Sequence, residues 1–578
     1  MFRQSKVFIA CLIFTLSVSV VFARGVEEEA VKVEEGVPIY GGTLTWSYWC
    51  LNFQNDMTGW DPQYDWSAQV ASDYYFETLL MGDLDRGPRG TNEWSFPQRE
   101  LTPEQYITGR LVQRWEVSPT KLVYHVRPGM YLTGKSVNPG VGPRREFTAE
   151  DVKYTADLAL PNKTYGWLWD WIDNVEVVDR YTVVFNLSRF KNTWSLHAGY
   201  GFGGLEHPVA REIVEAGVND WRNHYGTGPF LLVDYTEGSA ITFERNPEYW
   251  GRETINGIEY QLPYVDKVIV PVLKDPSTKI ALLRTGKLDL VNQVPMTYRD
   301  TLARTSPDLL HRDYFPGSVQ FIAMNFQGGM TAVAPFTDRR VRKALSAAID
   351  RQAIIDQVFL EGNMLVWPVG PYAEGVFSEW HDLPGDIPEF FKYDPQYAKK
   401  LLADAGYPNG FSTEWIAASP TTQNQDMFTM VLAYWKNIGV DCNLKIVEPG
   451  AAHALAVTKD YPQMFSYGAG TGAPMYMENW ANPTANNNTA NYVNMELTNK
   501  FRKAQTLTKA EQTPLMREVS LMFLQDMPYI TLPAPDVRIY WWPWLKNYYG
   551  EVDAGYFSDA IVGSRVWLDP NLKKTLGY

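Results

Sequence analysis

Segments with the pattern of β-strands and segments with the pattern of α-helices alternate along nearly the whole chain. Thr182 to Leu187 alternates apolar and polar side chains as a half-buried strand does, whereas Asp394 to Ala405 has helical spacing and precedes the helix-ending pair Gly406 and Pro408. Alternation of this kind is typical of α/β folds. With 578 residues the chain exceeds what one hydrophobic core usually holds, so we predict an α/β protein divided into lobes. The sequence contains no short internal repeat of the kind that indicates a solenoid or a propeller.

Several element boundaries carry specific local signals. Thr148 is placed as an N-cap with Asp151 at the capping-box position of a following helix. Further helices are expected from Phe428 to Asn437 and from Pro514 to Gln525, and a strand from Gly286 to Val291.

The N-terminus resembles an export signal rather than part of a fold. Arg3 and Lys6 precede the apolar run Val7 to Val21, and a small-residue cleavage site follows it, so residues 1–23 are predicted to be a signal peptide. Cys11 lies too early in the run for a lipoprotein signal. Residues 24–37 are acidic and contain no aromatic residue, a composition typical of a disordered linker. The sequence therefore predicts an exported protein, periplasmic or otherwise extracytoplasmic, and leaves membrane tethering open.

The composition excludes several classes of function. A formal charge of −14 argues against nucleic acid or an anionic membrane surface as a partner. The three cysteines imply no disulfide framework, and the seven histidines show no metal-ligand spacing, so we expect neither metal nor cofactor. Gly199, Gly201 and Gly204 match a dinucleotide-binding pattern without the strand and helix that such a site needs. No Ser/His/Asp arrangement has a nucleophile elbow. We predict that the protein is not an enzyme.

Eight short motifs appear in the order in which one family of receptors carries them. They are Gly41-Gly42-Thr43-Leu44-Thr45; Leu111-Val112-Gln113-Arg114-Trp115-Glu116-Val117-Ser118; Val126-Arg127-Pro128-Gly129; Phe147-Thr148-Ala149-Glu150-Asp151-Val152-Lys153-Tyr154; Gly226-Thr227-Gly228-Pro229-Phe230; Arg245-Asn246-Pro247-Glu248-Tyr249-Trp250; Pro335-Phe336-Thr337-Asp338-Arg339-Arg340-Val341-Arg342-Lys343-Ala344-Leu345; and Ala348-Ile349-Asp350-Arg351. In these motifs the chain resembles the extracytoplasmic solute-binding proteins of the oligopeptide/dipeptide ABC transporter family, family 5, over nearly the whole mature sequence.

The resemblance implies a two-lobed periplasmic-binding-protein fold with a hinge and an extra subdomain inserted in lobe one. On that basis we assign residues 38–55, 215–313 and 536–578 to the core of lobe one, 56–214 to the inserted subdomain and 314–535 to lobe two, with crossings near Tyr314 and Pro535. It also implies closure around a small-molecule ligand, recognition by the permease subunits of an ABC transporter, and a monomeric receptor.

The ligand expected from the family name is a peptide, but one loop departs from that pattern. Peptide-binding members hold the ligand ammonium with an aspartate in a lobe-two loop, and the matching stretch from Phe465 to Met475 contains no acid. The first carboxylate after it is Glu478. A charge-assisted hydrogen bond contributes about 1.5–3 kcal/mol, so its loss would weaken peptide binding considerably.

Aromatic and amide residues near the expected cleft favour a neutral oligosaccharide, and analogy with the family's sugar-binding members suggests a β-linked gluco- or manno-oligomer. The chain contains 21 Trp and 34 Tyr, whose flat faces suit sugar rings while amide edges suit hydroxyls. An oligopeptide- or dipeptide-binding receptor is the alternative, and a secreted glycoside hydrolase is a remote one.

The candidate ligand-binding residues follow from their places at strand ends and in loops. They are Trp46, Tyr48, Trp49, Asn325, Trp380, Trp415, Tyr467, Glu478 and Trp480. For Trp46, Trp49 and Trp415, packing in a core is the competing interpretation.

Overall fold

The structure, a computed structural model, describes residues 36–47, 57, 59–62, 66–97, 102–162, 166–201, 204–326, 333–366, 368–371, 373, 375–418, 421–470, 480–482, 485, 488–556 and 558–578. The strands are β1 Thr43–Ser47, β2 Leu80–Gly82, β3 Ile107–Gly109, β4 Val112–Val117, β5 Lys121–Val126, β6 Tyr131–Leu132, β7 Arg145–Glu146, β8 Ile172–Asp179, β9 Thr182–Leu187, β10 Phe230–Thr236, β11 Ala240–Arg245, β12 Arg252–Ile255, β13 Ile258–Gln261, β14 Lys267–Pro271, β15 Leu290–Pro295, β16 Leu310–Tyr314, β17 Ser318–Met324, β18 Gly362–Asn363, β19 Phe411–Ala418, β20 Val440–Val447, β21 Met464–Gly470, β22 Tyr529–Thr531, β23 Ala534–Pro535, β24 Val537–Trp541, β25 Leu545–Lys546 and β26 Trp567–Leu568.

The α-helices are α1 Trp66–Ser72, α2 Ala149–Ala159, α3 Gly166–Trp169, α4 Arg211–Gly217, α5 Pro276–Arg284, α6 Arg299–Thr305, α7 Arg339–Ala347, α8 Arg351–Ile354, α9 Pro388–Phe391, α10 Pro395–Asp404, α11 Thr422–Asn437, α12 Pro449–Thr458, α13 Met495–Ala504, α14 Lys509–Asp526, α15 Asp559–Gly563 and α16 Pro570–Thr575. Short 3-10 segments lie at Leu84–Arg86, Glu104–Tyr106, Trp221–Asn223, Met296–Tyr298 and Trp380–Asp382, and π-helical segments at Leu196–Tyr200 and Ile355–Phe359. Within the described ranges no helix combines the length and apolar character needed to cross a bilayer.

Two large mixed sheets organise the molecule. The first has the order β10-β11-β14-β1-β15-β24-β16, with β1 parallel to both β14 and β15. The second has the order β20-β19-β21-β17-β22, with β19 parallel to β20 and to β21. Each sheet packs into its own large hydrophobic cluster. Parallel strands need helical crossovers to connect them, which accounts for the alternation seen in the sequence.

The chain passes between the two sheets twice. It leaves the seven-stranded sheet after Tyr314 and enters the five-stranded sheet at Ser318, and it returns between Thr531 and Val537. We call the part built on the seven-stranded sheet lobe one and the part built on the five-stranded sheet lobe two. The fold is therefore a two-lobed α/β fold, as the sequence predicts. The residue boundaries assigned to the lobes and to the inserted subdomain stay a proposal.

A third sheet, β4-β5-β9-β8, stands beside lobe one and shares its hydrophobic cluster. Helix α2 starts beside this sheet with a complete capping box, in which Thr148 and Asp151 each accept a hydrogen bond from the other's backbone. The box satisfies two backbone donors that would otherwise be left open at the helix start.

The glycines of the Gly226-Thr227-Gly228-Pro229-Phe230 motif allow two backbones to touch. The Gly228 N–H donates to the Tyr75 carbonyl at 2.9 Å. A Cβ atom at Gly226 would lie 2.0 Å from the same carbonyl oxygen, closer than any real contact. This motif therefore holds the scaffold of lobe one together, and glycine is required there by close approach.

A buried ion network connects one of the family motifs, Arg245-Asn246-Pro247-Glu248-Tyr249-Trp250, to three charged residues outside the motifs. Arg110, 1% exposed, donates from Nε to Glu77 at 3.1 Å and pairs with Asp73 at 2.5 Å. Tyr249 and Trp250 donate to the two oxygens of the same Glu77 carboxylate at 3.0 and 2.8 Å. Hydrogen bonds of this kind to both oxygens of Glu77 are what make its buried charge tolerable.

Candidate ligand-binding cleft

A cavity of about 730 Å³ lies between the lobes, beside the segments that cross from one to the other. Lobe one contributes the start of α5 and the end of β15, and lobe two contributes the start of β17 and the first turn of α11. The crossing segments contribute Pro316 and residues 533–535. Small-molecule sites typically occupy about 300–1,000 Å³, so the cavity has the size of a binding site. Because both lobes and the crossing segments line it, a change in lobe angle would reshape it.

The end of β15 carries a bulge that faces the cavity. The register of β15 against β24 shifts between Val291 and Val294. Gln293, inside that shift, has a φ of 52°, in the left-handed region that a side chain normally avoids. Asn292 and Gln293 both line the cavity. Bulges often redirect side chains next to functional sites, and this one places two amides on the cleft wall.

Lysine side chains give the lobe-one wall of the cleft a positive charge. Lys274 and Lys279 line the cavity, and neither forms an ion pair with a described residue. Burial lowers the pKa of the Lys279 ammonium to about 8. The sole acid among the described lining residues is Asp275, whose Oδ2 accepts from the Thr278 backbone N–H at 2.7 Å and hydroxyl at 2.8 Å. That carboxylate caps α5, and these bonds lower its pKa.

The lobe-two wall is neutral and polar. Thr421 caps α11 by accepting the Asn424 N–H at 3.1 Å, and Gln423 Nε2 donates to the Val358 carbonyl at 3.1 Å. Gln320, on β17, has a buried Oε1 with no hydrogen-bond partner among the described residues. An unsatisfied buried acceptor is costly, so a ligand donor at this position would be stabilising. Tyr298 of lobe one supplies the one aromatic ring among the described lining residues.

A polar cluster borders the cleft where the chain returns to lobe one. Asp536, between lining residues Pro535 and Val537, accepts from Asn363 Nδ2 at 2.6 Å. Burial raises the pKa of Asp536 to about 6; the hydrogen bond from Asn363 lowers it, and the Glu361 and Asp313 carboxylates raise it. Glu361 also forms an ion pair with Arg299 at the start of α6, which ties lobe two to lobe one beside the cleft.

Of the five predicted site residues whose side chains the structure describes, four are buried in the protein interior rather than on the cleft wall. Trp46 is fully buried and its Nε1 donates to the Tyr74 hydroxyl at 3.1 Å. Trp415 is fully buried, donates to Ser466 Oγ at 2.9 Å and packs edge-on against Phe428. Both side chains point from their strands into a core, so neither presents a face to the cavity, and their ligand contact stays a prediction.

The remaining predicted residues divide into packed ones and ones outside the described part of the chain. Asn325 is 7% exposed and donates to the Tyr461 carbonyl at 2.6 Å. Trp480, 4% exposed, packs edge-on against Phe321 and Tyr529. Trp380 is half-buried against the lobe-two core beside His381. Tyr48, Trp49 and Glu478 lie outside the described residues, as does the side chain of Tyr467, whose backbone belongs to β21.

Three cleft residues were not predicted from the sequence, although a pattern in the sequence points to them. Asn292 and Gln293 interrupt an apolar strand with two adjacent amides, and Lys279 is placed on the helix before that strand. Asn and Gln are seldom fully buried, so an adjacent pair of amides at the end of an apolar strand is informative and marks a candidate functional position. Within the described ranges no group of three or more His, Cys, Asp or Glu side chains is arranged to hold a metal ion.

Comparison with known proteins agrees with this architecture. The chain matches the model of the bacterial extracellular solute-binding proteins, family 5, over residues 107–491. It is 28% identical to heme-binding protein A of Haemophilus influenzae over 73% of this chain and 78% of the relative, and 26% identical to the glutathione-binding protein of Pectobacterium atrosepticum over 73% and 79%.

Solved structures show the same fold. A periplasmic binding protein of Helicobacter pylori in complex with the peptide STSA superposes with a TM-score of 0.72 at 21% identity, covering 92% of this chain and 98% of that one. A binding protein of A. tumefaciens in complex with mannopinic acid also gives 0.72 at 21% identity, covering 92% and 100%. The family model spans more than half of the sequence, and the chain belongs to the family 5 bacterial extracellular solute-binding proteins.

Proposed function

We propose that this protein captures short peptides, or peptide-like amino-acid derivatives, in the cleft between its lobes. The family establishes the broader role, an extracytoplasmic receptor that delivers a small solute to an ABC importer rather than an enzyme. The observation that carries the finer proposal is the chemistry of the cleft wall. Asn292, Gln293, Gln320 and Asn424 supply amide groups from both lobes, which suits a ligand with its own backbone amides.

The cleft wall gives less support to the neutral oligosaccharide expected from the sequence. Sugar binding relies on aromatic faces against the C–H side of each ring. Trp46, Trp415 and Trp480, three of the rings that motivated that expectation, are packed in cores. Tyr298 alone supplies a ring to the described wall. The relatives named above bind heme, glutathione, a peptide and mannopinic acid, and none of these ligands is a neutral oligosaccharide.

The peptide ammonium needs a partner, and Glu478 stays the residue we propose for it. The single described acid on the wall, Asp275, is engaged as a helix cap. Glu478 follows β21, whose last residue, Gly470, pairs with Ser318 on the cleft side of β17.

Delivery to the transporter follows from the two-lobed design. Ligand bound to both walls favours the closed arrangement, and closure changes the outer surface that the permease subunits meet. We further propose that the mature protein is a monomer, exported by residues 1–23, with residues 24–37 as a linker that separates the receptor from the membrane surface.

Tryptophan fluorescence and small-angle X-ray scattering test this assignment together. The protein would be titrated with a mixture of di- to pentapeptides and, separately, with cello- and manno-oligosaccharides. We expect saturable fluorescence change and a smaller radius of gyration with peptides alone. A response to the sugars without one to the peptides would replace the proposal with the oligosaccharide alternative, and consumption of the sugar would indicate a hydrolase.

A further inference from the structure

The ammonium of Lys279 is the least compensated charge in the cleft. Its helix, α5, begins at the cavity rim, and the side chain is half-buried. Removing water from an ammonium is unfavourable unless an anion replaces it. No described carboxylate does so, and the pKa of Lys279 falls to about 8 because of burial alone.

The local charge of the cleft opposes the charge of the whole protein. The molecule carries a formal charge of −14, yet the described lining residues include two lysines and one acid, Asp275. The Asp275 oxygen that caps α5 already accepts two hydrogen bonds from Thr278. A positive wall in an acidic protein is expected where an anion is bound, because the surrounding negative surface would otherwise repel that anion.

The opposite wall adds a second favourable feature for an anion. Helix α11 is sixteen residues long, and the cavity is lined by its cap Thr421 and its first residues Thr422 and Gln423. The Thr421 hydroxyl satisfies the N–H of Asn424. Because the first turn of α11 lines the cavity, the positive end of the helix dipole lies at the same cavity that Lys279 lines from lobe one.

We propose that the ligand carries a carboxylate, which binds between Lys279 of lobe one and the first turn of α11 in lobe two. This inference rests on the proposed function and narrows it to peptides with a free C-terminus or to similar acids. The carboxylate contacts both lobes, so it favours closure as well as affinity. A charge-assisted contact of this kind raises affinity about 10- to 100-fold.

A matched pair of peptide libraries tests the subsite. Random tripeptides are prepared once as free acids and once as C-terminal amides, and each mixture is bound to the full-length mature protein and followed by native mass spectrometry, with calorimetry for the best sequence. We expect the acid to bind about 10- to 100-fold more tightly than its amide. The difference should disappear in Lys279→Gln and persist in Lys279→Arg. Lys274→Gln, at an exposed position on the same wall, should reduce it less.

The outcomes separate this inference from the proposed function. Equal affinity for acid and amide would overturn the carboxylate subsite and leave the peptide receptor standing. The same result follows if Lys279→Gln keeps the full preference for acids. Binding of neutral cello- or manno-oligosaccharides without either library would overturn both. The pH dependence gives a second readout: as pH rises through about 8, both libraries lose the charge of the peptide ammonium, but only the acid also loses the contact with Lys279, so the ratio of acid to amide affinity should fall.

Discussion

Arg189 Nη1 donates a hydrogen bond of 3.2 Å to Gln505 Oε1 and thereby joins the segment after β9 to the end of α13 in lobe two. The neighbouring Asn192 donates its backbone N–H to the Gln505 carbonyl at 2.9 Å, and its side chain to the Ala504 carbonyl at 3.4 Å. The two sides of the molecule thus meet at a place separate from the crossing segments. Contacts at a second place are expected of a closed cleft and would be lost on opening.

Removing this contact should weaken ligand binding without unfolding the protein. Arg189→Ala deletes the hydrogen bond to Gln505, worth about 0.5–1.5 kcal/mol, which corresponds to a roughly 2- to 10-fold higher dissociation constant. It also deletes the ion pair of Arg189 with Asp170, which does not involve lobe two. Calorimetry with a bound peptide measures the effect. Arg180→Ala is the matched control, because Arg180 pairs with Glu146 on an exposed part of the same region. Unchanged affinity in Arg189→Ala would show that closure does not depend on this contact.

The buried Arg110 network should determine the stability of lobe one. Arg110→Ala leaves the carboxylates of Asp73 and Glu77 buried without their cation, which costs about 3–5 kcal/mol. Chemical denaturation should show that loss. Arg114→Ala removes an exposed pair with Glu116, for which we expect a change below about 1 kcal/mol. If Arg110→Ala loses as little stability as we expect of Arg114→Ala, the network contributes little to the stability of lobe one.

Asp536 should make stability depend on pH near neutrality. Its pKa of about 6 in the folded state exceeds the value of about 3.9 in an unfolded chain, so the folded state holds the proton over a wider range. The contribution of Asp536 to the free energy of unfolding is therefore fully present below about pH 4 and is lost as pH rises through about 6.

The variant Asp536→Asn keeps an oxygen that can accept from Asn363 and removes the charge. We expect it to be more stable than the parent by about 1–2 kcal/mol near pH 7.5 and equal to it near pH 4, with partial exposure limiting the gain. Denaturant unfolding at the two pH values measures both. A variant less stable than the parent at the higher pH would contradict the assignment.

The strained backbone at Gln293 should serve binding rather than folding. Gln293→Gly relieves a positive φ that costs a side chain about 1 kcal/mol, while glycine adds freedom to the unfolded chain, so stability should change by less than about 1 kcal/mol. Loss of the amide should weaken peptide binding about 3- to 10-fold. Asn256→Gly is the matched control, since Asn256 has the same φ of 52° in the turn between β12 and β13. Equal effects on binding in both variants would rule out a specific role.

Local signals in the sequence predicted many elements but not always their starts. The capping box of Thr148 and Asp151 is present, and α2 begins where the sequence places it. Helix α14 begins at Lys509, five residues before the expected Pro514, because Thr508 and Glu511 form a capping box of their own. Proline favours a helix start, yet here it occupies an interior position. Helix α11 likewise begins at Thr422 rather than Phe428, and this first turn lines the cleft.

The residues that line the cleft could not be predicted from strand patterns, because their positions depend on tertiary structure. The strand expected from Gly286 to Val291 lies instead at Leu290–Pro295, because Gly286 forms a left-handed turn after α5. This shift and the bulge bring Asn292 and Gln293 to the cavity. Alternation along β1 and β19 shows that successive residues face opposite sides, but only sheet pairing decides which side is core. Trp46 and Trp415 were therefore plausible ligand contacts from sequence and are packed residues in the structure.

Hydrogen–deuterium exchange with and without the free-acid tripeptide mixture tests the central claim most directly. If the solute binds between the lobes, protection should appear together in the end of β15, the start of β17 and the first turn of α11, three segments far apart in sequence that line one cavity. Protection at the contact of Arg189 and Gln505 should accompany it as the lobes close. Protection limited to one lobe, or located away from all three segments, would contradict the account.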